Sequence, residues 1–126
     1  MSTNKRMPDK IRIDTEDLQS MRVGTYVGED MNYQGKPFTG FEIYGYYENG
    51  QIAGEFEYVK GERMGWEIEY YNNGLVERES LDYGATNVYY AEYDTDGNKI
   101  LSHFFAPELL DKVCAITEEN PNNVKE

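Results

Sequence analysis

The chain has 126 residues, enough for one compact domain. Its 24 Asp and Glu against 12 Lys and Arg give a formal net charge of −12, which repels phosphate backbones and argues against nucleic acid as a partner. No apolar run approaches the roughly 18 residues needed to span a bilayer, and anionic membrane surfaces would repel the chain.

The opening "MSTNKRMPDK" has no apolar stretch behind its basic residues, so no secretory signal is expected. A single cysteine, Cys114, leaves no internal disulfide and no cysteine-built zinc site. These features fit a cytoplasmic protein. Residues 1–30 read as a lead-in, within which "RIDTEDLQSM" (12–21) predicts a short strand and a brief helical turn capped by Asp14 or Thr15.

From 31 to 105 the sequence repeats. "GKPFTGFEIYGYYENG" (35–50) aligns with "GERMGWEIEYYNNG" (61–74), with two extra residues in the first copy. Gly40-Phe41-Glu42-Ile43 matches Gly65-Trp66-Glu67-Ile68. A third, degenerate copy, "GATNVYYAEYDTDG" (84–97), carries Val88 where the others have glycine. Each unit predicts two antiparallel strands joined at "NG" or "DG", because Asn, Asp and Gly accept the positive φ of tight hairpin turns. Between the turns apolar and polar residues alternate. Trp66, Ile68 and Tyr70 share one face, with Glu67, Glu69 and Tyr71 on the other. Ile52, Phe56 and Tyr58 are expected to face the core, with Glu55, Glu57 and Val59 opposite. The fold class that follows is mostly β: a single-layer, twisted antiparallel meander of hairpin repeats. At 107–117, Leu109, Leu110, Val113 and Ile116 fall at helical spacing, predicting an amphipathic helix that packs over the last hairpin. Residues 118–126 are polar and expected to be a flexible tail.

The repeat resembles the MORN type, in particular the variant of the YwqK-family bacterial antitoxins. The resemblance rests on Gly35-Lys36-Pro37-Phe38-Thr39-Gly40, on Tyr47-Glu48-Asn49-Gly50-Gln51-Ile52 and on Lys60-Gly61-Glu62-Arg63-Met64-Gly65-Trp66, and covers about residues 31–100. It implies an immunity protein that binds and neutralises a cognate toxin of nuclease or deaminase type, as a monomer when free and a heterodimer when bound. The alternative is a MORN-type scaffold or membrane-associated module.

Compatible with a basic toxin, residues 40–98 hold 13 acidic residues against Lys60, Arg63 and Arg78. The expected contact is an acidic, tyrosine-bearing sheet face: Glu42, Tyr44, Tyr46, Glu55, Glu57, Glu67, Glu69 and Tyr71. Tyr47, Tyr58 and Tyr70 read instead as packing between repeats. No cofactor, metal or catalytic residue is expected. The lone His103 reads as a packed or edge residue, and no nucleophile elbow or phosphate loop is present. "DTDGN" (94–98) has its glycine at the wrong position for a calcium loop and reads as a hairpin turn.

Overall fold

The computed structural model describes residues 10–17, 19–21 and 30–125. Among the described residues ten strands and two short helices follow one another: β1 (Arg12–Asp14), β2 (Gln19–Met21), β3 (Asp30–Tyr33), β4 (Lys36–Pro37), β5 (Gly40–Tyr46), β6 (Ile52–Val59), β7 (Glu62–Tyr70), β8 (Val76–Tyr83), β9 (Thr86–Tyr93), β10 (Lys99–Phe104), α1 (Leu110–Thr117) and α2 (Pro121–Lys125). Strands β5 to β10 form the expected antiparallel meander. The short strand expected in 12–21 is β1, which pairs in parallel with β5 and makes the seven-stranded sheet mixed. The helical turn expected behind it is a 3-10 turn at Thr15–Asp17. Strands β2, β3 and β4 form a separate small sheet.

The hairpin turns repeat in detail. Gly50, Gly74 and Gly97 donate their N–H to the carbonyls of Tyr47, Tyr71 and Asp94 at 2.9, 3.0 and 3.1 Å. Only the glycine of each turn has positive φ, at 88, 89 and 92°. These are three-residue loops closed by a glycine bulge, and the preceding Asn or Asp keeps an ordinary negative φ. Asn49, Asn73 and Asp94 then hold their turns through side-chain oxygens that accept from backbone N–H groups.

One face of the sheet is covered. Phe41, Trp66, Ile68, Leu81, Val88, Tyr89 and Ala91 project from it and pack under Leu110, Val113 and Cys114 of α1. The helix crosses the sheet instead of sitting over the last hairpin. The turn ahead of it contacts β9, the helix itself lies against β7, and it ends where Lys10 Nζ donates to the Thr117 carbonyl at 2.7 Å. Ile116, expected on its buried stripe, is exposed, and Thr117 is buried in its place. The helix proper begins at Leu110, with Pro107–Leu109 forming a 3-10 turn ahead of it. The segment expected to be a flexible tail packs down: Val124 of α2 enters the core, and Glu119 accepts from Trp66 Nε1 at 3.3 Å. Val124 and Glu119 are the buried residues of this polar stretch.

The degenerate third repeat has a packing explanation. Gly65 and Trp66 sit in a bulge opposite Glu57, and a Cβ on Gly65 would lie 2.1 Å from Glu57 Oε1. The space lets the Glu57 carboxylate accept from the Trp66 N–H at 3.1 Å. In the next repeat the corresponding pair is Val88 and Leu81, both fully buried. An apolar contact there replaces the glycine–carboxylate arrangement.

Candidate partner-binding face

The strand register sorts the expected contact residues onto different faces. Phe41 pairs with Glu57, Ile43 with Glu55, and Glu55 in turn with Ile68. Directly opposed residues share a face, so Glu55 and Glu57 lie on the covered side, at 0 % and 1 % exposure. Phe56, expected inside, pairs with Glu67 on the open side. The strand alternates as expected, but β6 has the opposite phase. The reason is chemical: two glutamates can be buried here because cations and hydroxyls meet them. Arg12 Nε donates to Glu55 Oε1 at 2.9 Å and Tyr70 OH to Glu55 Oε2 at 2.5 Å, while Lys10 Nζ pairs with Glu57. Burial holds the Glu57 carboxyl above the ordinary carboxylate range, against the opposing pull of Lys10 and the Trp66 N–H.

Tyr46 also leaves the expected face. A bulge around Tyr44–Gly45 adds a residue to β5, and Tyr46 turns to the covered side, where its hydroxyl donates to Asp14. Tyr70 and Tyr93 do the same in the next two units, donating to Glu55 and Glu79. Tyr71 stays near the turn and donates to the Tyr93 carbonyl at 2.7 Å, as Tyr47 donates to the Tyr70 carbonyl at 2.7 Å. Tyr58 and Tyr70 are buried as expected, but the ring of Tyr47 is partly exposed. Glu42 faces the open side yet is only 6 % exposed, accepting from Tyr58 OH at 2.8 Å. The Tyr58 ring in turn packs against Phe38.

Tyr44, Glu67 and Glu69 stay together on the open face, and Tyr71 lies toward the turn near Arg78 and Glu92. Tyr44 lies across β6 and stacks on Phe56, ring centroids 4.5 Å apart. Burial, then the nearby Glu69 and Glu67, push its phenol up to about 12. The Arg63 guanidinium covers the other part of Phe56, 3.8 Å from the ring centroid, and reaches Glu67 Oε1 at 3.4 Å. Arg78 Nε lies 3.1 Å from Glu69 Oε2, as an ion pair without an aligned hydrogen bond. Beyond them Asn87 Nδ2 donates to Asp82 Oδ1 and Ser80 Oγ, both at 2.8 Å. Tyr90 OH donates to Glu92 Oε2 at 2.5 Å. Arg63, Glu67, Glu69, Arg78, Asn87 and Tyr90, together with Phe105, line an open groove of about 870 Å³ across β7, β8 and β9.

The groove is not a continuous acidic strip, since Arg63 and Arg78 stand between its carboxylates. Of the groove side chains only Glu67 and Glu69 are expected contacts; the arginines, Ser80, Asp82, Asn87, Tyr90 and Phe105 are not. The repeat alignment carried a signal for Tyr90, which occupies the position of Glu42 and Glu67 in the third unit. His103 lies exposed on β10 against the ring of Phe105, and Asp94 organises its own turn. The backbone N–H of Asn98 is the main influence holding the Asp94 carboxyl below the ordinary range. Burial pushes the Cys114 thiol up to about 11, which suits a core filler. No helix among the described residues is long and apolar enough to cross a membrane.

No family model, no characterised protein and no solved structure matches the chain.

Proposed function

We propose that this protein acts by binding another protein through the open face of its sheet, with no catalysis of its own. The partner is a cognate, basic bacterial toxin that the bound protein neutralises in the cytoplasm. One observation carries the reading. The covered face is sealed by α1 and α2, whereas the opposite face leaves Glu67, Glu69, Arg78 and Tyr90 lining a broad groove, with Tyr44 on the same face toward β5. Mixed charges flanked by aromatic rings suit recognition of a folded surface, where aromatic and Arg side chains supply short-range affinity. The net charge of −12 supplies long-range attraction to a basic partner. The antitoxin role itself is supported by the repeat resemblance.

Co-expression with the product of the neighbouring gene tests the proposal. Growth should be arrested by that product alone and restored by this protein. Rescue should fail with the double variant Glu67→Lys/Glu69→Lys while the variant remains folded. A neighbouring product that is harmless by itself, or full rescue by the folded double variant, would contradict the reading.

A further inference from the structure

We propose that β10 pairs with β10 of a second copy of this chain, joining two sheets edge to edge across a two-fold axis. β10 is the last strand of the seven-stranded sheet, with no strand on its outer side among the described residues. Ile100, Leu101 and Phe105 are 63 %, 50 % and 60 % exposed there. Sheet edges are usually protected by short strands, outward charges or proline. The other edge, β1, has such protection, being only three residues long. On β10 such features are confined to its start, where the register shifts between Lys99 and Leu101. Its six residues contain no proline, and its one lysine, Lys99, donates to Tyr89 OH at 3.0 Å over the rings of Tyr89 and Tyr93.

The occupant follows from charge and register. In a chain of net charge −12, "NKILSHFF" (98–105) has no carboxylate, so two copies can meet there with little local repulsion. Phe105 N–H bonds inward to the Val88 carbonyl at 2.9 Å. By the two-residue alternation of an antiparallel ladder, the backbone groups of Ser102 and Phe104 point outward. An antiparallel pair centred on Ser102 places Leu101 opposite His103 of the second copy, and the reverse, so the contact is self-complementary. It also runs the two open faces into one surface. A pair of six-residue strands buries less than the roughly 1,600 Å² of a standard interface, so the dimer is weak, with a dissociation constant in the micromolar range or above.

Sedimentation velocity over a wide concentration range tests this. The wild type should pass from monomer to dimer, and added salt should strengthen the association by screening the repulsion between two acidic chains. Leu101→Lys and Ser102→Pro should each remain monomeric throughout, with thermal unfolding confirming that they are folded. Ile116→Lys, on the exposed side of α1, should dimerise like the wild type. A wild type that stays monomeric at every concentration would overturn the proposal. So would a dimer that survives both β10 variants, or one lost in Ile116→Lys.

Discussion

The ring of Tyr44 occupies the space that a side chain at Gly54 would take: a Cβ there would lie 2.1 Å from Tyr44 Cζ. A residue on β5 thus reaches across β6 toward Glu67 and Glu69 on β7, and three strands contribute to one patch. The bare backbone at Gly54 is what makes the open face continuous at this end.

Gly54→Ala should therefore lift Tyr44 off the sheet. The Tyr44–Phe56 contact would be lost, at a cost of about 1 kcal/mol in stability. The phenol, freed from burial and from Glu69 and Glu67, should titrate below its present value of about 12 and toward an ordinary tyrosine. Ultraviolet titration of phenolate, compared with Tyr44→Phe to assign the signal, measures the shift. An unchanged titration would mean that Gly54 does not set the position of the ring.

The N-terminal arm should hold the covered face together through Lys10, which joins the Glu57 carboxylate to the end of α1. Lys10→Met leaves that buried charge without its cation and should cost about 3 kcal/mol at neutral pH. Adding Glu57→Gln should recover most of the loss, because the amide oxygen still accepts from the Trp66 N–H. Denaturant unfolding of the two single variants and the double variant tests the coupling.

The same pair predicts a pH dependence of definite sign. The folded-state pKa of Glu57 lies above its unfolded value, so the folded chain holds its proton over a wider range. The group's stabilising contribution is complete below the unfolded pKa and is lost as pH rises through the folded pKa. Removing Lys10 takes away a downward pull on that pKa and widens the window. Lys10→Met should therefore regain stability on mild acidification, and Lys10→Met/Glu57→Gln should not. Equal slopes for the two variants in that window would refute the assignment.

Turn geometry gives a cleaner backbone test. Gly50 has φ of 88° and no atom near the position of an added Cβ. Gly50→Ala should cost about 1–2 kcal/mol through the left-handed backbone alone. Gly50→Asn, which accepts that region more readily, should cost less. Thermal unfolding of the two variants supplies the comparison.

Much of the fold was legible because hairpin turns and period-two alternation are local signals. "YYENG", "YYNNG" and "YDTDG" mark three equivalent turns, and the strands between them follow. The phase of each strand was harder to read, because it depends on bulges and on distant partners. Glu55 and Glu57 look like solvated residues until Arg12, Lys10 and Tyr70 are brought to them from far along the chain. Tyr46 changes face through one extra residue in β5, seen in the sequence only as a gap in the repeat alignment. The pair Glu67 and Glu69 was placed correctly because β7 also carries Trp66 and Ile68, whose burial leaves no doubt about its phase. Register, set by side chains far apart in sequence, decides which charges a partner could meet.

The central claim is that the open face, and not the buried glutamates, meets the partner. Its most direct test is the association rate with the product of the neighbouring gene, measured for the wild type and for Glu67→Lys/Glu69→Lys over a range of salt. The wild-type rate should fall as salt rises, and the folded double variant should associate about tenfold more slowly at low salt, with a shallower salt dependence. An unchanged rate in the variant, together with binding that does not respond to salt, would contradict the account.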